Sequence, residues 1–266
     1  MIITDKFVML NFPKTGSTFA RKVIKQIYEK KDLRLNSLIY KTGLFTPKIF
    51  ELLLPKIDEG NYTGIVDQHG KYRQIPKNHI QKPVLSIVRN PFSRYVSSFF
   101  FKWWQKVLPV DIKIIHQFYP NFPELSFNEF YKFSNQFNSI NHLHGIIPKV
   151  NIGINSLYFI QFFSKNPDSF ISTIDDDILN NKDCIEEFKH VHFIHQESLR
   201  DELKLFLLLV GFSEKETAFI DTIEEVNKTE YPNNINSFMD MYSEELIEKV
   251  LSDEKLLFRL FPEYLP

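Results

Sequence analysis

The sequence predicts an α/β fold: a single domain, residues 1–266, with a mostly parallel sheet flanked by helices. Three observations predict it. Two short apolar runs, Phe7-Val8-Met9-Leu10 and Val84-Leu85-Ser86-Ile87-Val88, have strand length and the unbroken apolar character of strands buried on both faces. Each run leads within a few residues into a helical pattern, and strand–helix alternation favours a parallel sheet. A chain of 266 residues can bury one large core, and no Gly/Ser-rich or Pro-rich linker divides it.

Taken in order, a strand over 7–12 ends at Pro13. A helix follows over 17–30, because Phe19, Val23, Ile24 and Ile27 recur at helical spacing opposite Arg21, Lys22, Lys25 and Gln26. A helix at 45–54 and a strand at 64–67 come next. The strand 84–88 feeds a helix over 92–105, with Asn90 as its N-cap and Pro91 in the first helical position. Helices are expected at 127–134, 155–163, 198–210, 214–223 and 243–251, with a strand at 191–195. Gly211 ends the helix carrying Leu203, Phe206, Leu207 and Val210. The stretches 106–126 and 135–154 read as irregular, and connectors of that length tend to be lids or binding loops.

The chemistry concentrates where the first strand meets the first helix. Lys14, Thr15, Gly16, Ser17 and Thr18 combine a lysine, three hydroxyls, a glycine that lets an anion approach and the free amides of a helix N-terminus. That is a phosphate or sulfate cradle. It is not a Walker A loop, in which the lysine directly precedes the hydroxyl residue and a further glycine stands upstream. The plainer reading is a strand-to-helix turn capped by Ser17. A second element begins at Arg89, at the carboxyl end of a strand, where open α/β sheets bind ligands. It reads Arg89-Asn-Pro-Phe-Ser-Arg94-Tyr-Val-Ser97. Arginine's planar fork suits a phosphate.

Pro13-Lys-Thr-Gly-Ser-Thr18 resembles the 5′-phosphosulfate loop of sulfotransferases that use 3′-phosphoadenosine 5′-phosphosulfate (PAPS). The Arg89 element is similar to the 3′-phosphate-binding element of the same family. Val226-Asn-Lys228-Thr229 resembles the segment that closes over the nucleotide in carbohydrate-type members, and the stretch from His192 resembles the family's late strand and helix. The resemblance implies a P-loop-like sulfotransferase fold, with PAPS as cosubstrate and adenosine 3′,5′-bisphosphate (PAP) as product. It implies that Lys14 to Thr18 hold the phosphosulfate, that Arg89 and Ser97 hold the 3′-phosphate, and that Lys228 and Thr229 lie on the nucleotide. The acceptor would be a saccharide or another small molecule, sulfated on a hydroxyl or amine, and the carbohydrate-type, bacterial branch is the one the motifs lean toward.

Sulfuryl transfer to a hydroxyl is an in-line displacement like phosphoryl transfer, with charge building on the leaving phosphate. Lys14 can neutralise that charge. The attacking hydroxyl needs a base that titrates near neutrality, which points to histidine. Of eight histidines, His69 is the first candidate: it follows the strand-like Thr63–Asp67 in Asp67-Gln68-His69-Gly70, between the two nucleotide elements. Heparan-type 2-O-sulfotransferases carry a base histidine in a comparable place in chain order. Asp67 could orient the ring or simply form the turn. His116 is the reserve base. Trp103 and Trp104 are candidates for lining an acceptor pocket. His142-Leu-His144 and His190-Val-His192 lack the spacing and partners of a metal site, so no metal is expected.

Composition adds limits. There are 32 basic and 33 acidic residues, a net charge of −1, which gives no bulk attraction to nucleic acid or an anionic membrane. Cys184 is the only cysteine, so no disulfide can form within the chain and a reducing compartment suits it. No apolar run has the length of a membrane span. The reading is a cytoplasmic enzyme of bacterial type, its oligomeric state open. An ATP-dependent small-molecule kinase of the P-loop class, or a nucleotide sensor without turnover, would account for fewer of these residues.

Overall fold

A computed structural model of the chain describes residues 1–31, 47–58, 61–181, 183–224 and 235–266. Seven strands occur among them: β1 (Ile2–Thr4), β2 (Val8–Met9), β3 (Ile49–Glu51), β4 (Leu54–Asp58), β5 (Asn61–Asp67), β6 (Val84–Val88) and β7 (His192–His195). The helices used below are α1 (Ser17–Lys31), α2 (Pro91–Phe101), α3 (Ile112–Phe118), α4 (Phe127–Phe133), α5 (Ile154–Phe163), α6 (Leu199–Leu209), α7 (Glu244–Asp253) and α8 (Lys255–Leu260). The chain forms two compact units, one of Met1–Arg89 with His190–Lys228, the other of Asn90–Lys189 with Thr229–Pro266.

The first unit holds the sheet, a mixed five-stranded one in the order β3-β1-β2-β6-β7. The pairings β2–β6 and β6–β7 are parallel, whereas β1 runs antiparallel to both β2 and β3. The expected mostly parallel sheet is therefore corrected to a mixed one. The reason is local. Thr4 closes a tight turn into β2: its hydroxyl donates to the Phe7 carbonyl (2.7 Å) and accepts the Phe7 N–H (2.8 Å). A three-residue strand such as β1 is too short to show a period. The expected helix at 45–54 is overturned as well. Residues 45 and 46 lie outside the described residues; Ile49–Glu51 pair with β1, and Leu54 opens β4, which pairs only with β5. The strand expected over 7–12 has a regular ladder only at Val8–Met9, although the Leu10 N–H still donates to Leu85 (2.9 Å).

α1 and α6 bury their apolar faces against this sheet. Phe19, Val23, Ile24 and Ile27 meet Met9, Leu85 and Ile87 in one core with Leu203, Phe206 and Leu207. Phe7 and Phe206 pack edge to face at 5.3 Å. The helical period read from the sequence is thus the buried face.

The second unit is helical among its described residues. Asn90 caps α2 as expected, accepting the Phe92 N–H (2.9 Å), but the helix stops at Phe101, where Lys102 turns left-handed (φ 54°). Trp104 is core: it packs on Phe99, Phe122, Phe130 and Phe133. The stretches expected to be irregular contain α3, a π-helical turn at Ser134–Asn138 and a short helix at Ile140–Leu143. A polar network crosses the interior. Glu254, wholly buried, accepts the N–H groups of Asn155 (3.1 Å) and Ser156 (2.8 Å), the Ser156 hydroxyl (2.7 Å) and the Tyr95 hydroxyl. It caps α5 from the junction of α7 and α8 and ties α2 to it. Burial pushes its carboxyl up from the usual range.

Candidate functional site

The loop from β2 into α1 has a backbone that supports the anion-binding reading. Lys14 and Gly16 both adopt left-handed conformations, φ 66° and 85°. Left-handed residues interleaved with ordinary ones turn successive N–H groups to one side, the geometry of an anion nest. The nest opens at the N-terminus of a 15-residue helix, whose dipole adds positive potential. A Cβ on Gly16 would stand 3.1 Å from Leu199 and 3.3 Å from Gln196, so the loop is pressed against the start of α6. Thr15 is buried, and its hydroxyl donates to the Phe12 carbonyl (2.9 Å). What Thr15 can offer a ligand is its backbone N–H. Ser17 begins α1 half-buried, and Thr18 is exposed.

Arg89 directly follows β6, the parallel neighbour of β2. Its Nη1 donates to the Lys14 carbonyl at 3.2 Å. The parallel pairing of Val8 with Val84 therefore brings two elements 75 residues apart in sequence to one sheet edge. Ser97 lies in the middle of α2, in the helical unit, and is buried. On the same helix Arg94 is buried, bonded to the Asn155 side chain and stacked over the Tyr158 ring. Lys228 and Thr229 lie outside the described residues.

His69 follows β5. Its ring Nδ1 is 2.6 Å from the backbone carbonyl of Asn11. The Asp67 carboxylate accepts the His69 backbone N–H (2.8 Å), so Asp67 shapes the turn and Asn11 orients the ring. The Asn11 amide also donates to the Gln68 carbonyl (3.1 Å). Asn11, buried and three residues before Lys14, is the position beside His69 that motif reasoning passed over. A signal existed: an amide closing a buried apolar run must find partners.

Beside His69 is a cleft of about 430 Å³ lined by Arg21, Glu51, Leu53, Asp67 and Gln68. Glu51 is bonded to Arg21 and to Lys25 Nζ (2.8 Å), both from α1. Its partial burial works to raise its pKa, but Lys25 and Arg21 outweigh that and hold the carboxyl below the usual range.

The other histidines lie elsewhere, His79 against the Phe50 ring at 5.8 Å. His116 is exposed on α3, in the helical unit. His142 packs on Tyr158 (4.1 Å), His190 on Tyr72 (4.0 Å) and His192 on Phe206 (5.1 Å), while His144 pairs with Asp168 and His195 with Glu202. Among the described residues no group of three or more His, Cys, Asp or Glu side chains is placed to hold a metal ion. No described helix is long and apolar enough to cross a membrane.

A family profile described as "Sulfotransferase family" matches residues 2–262, nearly the whole chain and both compact units. The chain belongs to the sulfotransferase family, whose chemistry is transfer of a sulfuryl group. No curated protein matches the sequence.

Proposed function

We propose that the protein, read as one catalytic domain over 1–266, moves the sulfuryl group of PAPS to a hydroxyl or amine of a saccharide or other small molecule and releases PAP. The observation that carries this reading is the contact between Arg89 and the Lys14 carbonyl, which joins a cation of the second element to the anion nest of the first. The nest and Lys14 would hold the 5′-phosphosulfate. Arg89, whose planar guanidinium matches a phosphate's oxygens, would hold the 3′-phosphate together with Ser97, and Lys228 and Thr229 would lie on the nucleotide. His69 would act as base. In the reaction the acceptor oxygen attacks sulfur, the bond from sulfur to the phosphate oxygen breaks, and the acceptor proton passes to His69 Nε2. Charge gathered on the leaving phosphate would be met by Lys14 and the loop amides. The cleft beside His69 has room for a group of about one sugar ring, and its carboxylates and amide suit hydroxyl-rich ligands. The carbohydrate-type branch, the bacterial type and the cytoplasmic setting belong to the same proposal.

The experiment is a thermal shift with PAP and with ATP plus Mg²⁺, followed by label transfer from radiolabelled PAPS to a panel of acceptors. PAP at a hundredfold excess over its Kd should stabilise the fold by about 2.7 kcal/mol. A larger shift with ATP–Mg²⁺ would overturn the donor assignment.

A further inference from the structure

The balanced charge of the whole chain conceals a local imbalance. Among the described residues fourteen large apolar side chains are exposed, and seven of them fall within 101–118. Trp103 is 56% exposed and Phe118 58%. The same stretch carries Lys102, Lys106 and Lys113, all exposed, against one acidic residue, Asp111. The Asp111 carboxylate is occupied in capping α3, where it accepts the Lys113 N–H at 2.7 Å.

The stretch is anchored from beneath. Trp104, Ile115 and Tyr119 are buried, and Trp104 and Tyr119 both pack on Phe133 of α4. With these side chains turned inward, Phe101, Trp103, Val107, Leu108, Ile114 and Phe118 are left to the outer surface. On α3, Ile112, Ile114 and Phe118 flank the inward-facing Ile115 and stay exposed, with Lys113, His116 and Gln117 on the other side of the helix. Exposed apolar side chains concentrated in one stretch of chain in this way point to an interaction site in a folded protein. Tryptophan and phenylalanine edged by lysine is the composition of segments that lie in the interface of a bilayer: rings enter the headgroup boundary while lysines meet anionic phosphates. A second protein copy would bring the same three lysines against three more, a repulsion that a negative lipid surface replaces with attraction.

We infer that residues 101–118 form a peripheral docking surface for a membrane rich in anionic lipid. The enzyme would thereby work on acceptors presented at, or delivered to, that surface, without crossing it.

The test is co-sedimentation of the purified protein with phosphatidylcholine vesicles, and with vesicles that also contain phosphatidylglycerol. The protein should bind the mixed vesicles more tightly, and added salt should weaken that preference, because charges near the surface are screened within about 10 Å at 0.1 M. Each of Lys102→Gln, Lys106→Gln and Lys113→Gln should cost about fivefold in affinity for the mixed vesicles only. Trp103→Ser with Phe118→Ser should lose binding to both. These side chains are more than half exposed, and Phe118 gives up only an edge contact with Phe137, so the protein should still melt cooperatively and keep the PAP-induced shift, which separates lost docking from lost folding. Folded protein that ignores both vesicle types overturns the inference. So does a dimer, seen by sedimentation without lipid, that the Trp103→Ser, Phe118→Ser protein no longer forms: the surface would then be an interface between copies.

Discussion

The backbone carbonyl of Asn11 receives a hydrogen bond from His69 Nδ1 at 2.6 Å, across 58 residues of sequence. A carbonyl oxygen only accepts, so Nδ1 carries the proton and Nε2 holds the free lone pair that a general base requires. His69→Ala should cut turnover by roughly 10²–10⁴ and leave PAP affinity nearly unchanged. Asn11→Asp tests the support: the backbone carbonyl stays and the bond from the side-chain amide to the Gln68 carbonyl goes. Turnover should fall, though less than in His69→Ala. Wild-type turnover in a folded Asn11→Asp protein would detach Asn11 from the base.

Lys14 holds a left-handed backbone with a side chain attached. Lys14→Ala keeps the Cβ and its strain, so stability should change by less than about 0.5 kcal/mol. Turnover and donor affinity should both drop if, as proposed, the ammonium meets the phosphosulfate before and during reaction. Stopped-flow single turnover with PAPS, alongside chemical denaturation, separates the two effects. A loss of stability without a loss of turnover would make Lys14 a loop former only.

Arg89→Ala should harm PAPS far more than adenosine 5′-phosphosulfate, which has the same reactive group and no 3′-phosphate. A lost charge-assisted bond costs on the order of 1.5–3 kcal/mol, which is roughly tenfold or more in kcat/KM. Ser97→Ala should shift the ratio the same way by less. The bond from Arg89 to the Lys14 carbonyl predicts a second, donor-independent loss from a looser loop, so the ratio of the two donors is the quantity to measure. Equal losses for both would place the 3′-phosphate elsewhere.

Glu51→Gln should destabilise the fold by about 1 kcal/mol at neutral pH, the scale of a partly exposed ion pair. The wild-type Glu51 pKa is held below its unfolded value, so its contribution is complete above about 4.5 and is lost as acidification passes through the lower, folded value. The difference between wild type and variant in urea unfolding should therefore shrink as pH drops below that point. A constant gap down to strong acid would show that the pair acts through packing alone.

Several parts of this molecule were legible in the residues. α1 announces itself through Phe19, Val23, Ile24 and Ile27, and α2 through Asn90 and Pro91, because caps and periodicity are local and act through neighbours a few residues away. The cradle composition of Lys14–Thr18 and the strand before Arg89 are local in the same sense. β1 and β3 were not legible: three residues show no period, and only the pairing of β1 with β2 and of β3 with β1 makes them strands. Trp104 was as good a pocket candidate as Trp103 until packing against Phe122, Phe130 and Phe133 buried one and left the other outside.

By itself, then, the sequence determined the two elements that resemble the family's anion-binding motifs, the helices that follow them and the residue types proposed for the chemistry, since each is written in short-range pattern. Tertiary structure alone decided that Arg89 reaches Lys14, which depends on β2 and β6 lying side by side and parallel. It also turned Lys14 left-handed, a conformation that only glycine advertises in a sequence. And it chose the protonated nitrogen of His69, because the carbonyl that makes the choice belongs to a residue far away in the chain, and a backbone oxygen has no signature in any amino-acid code.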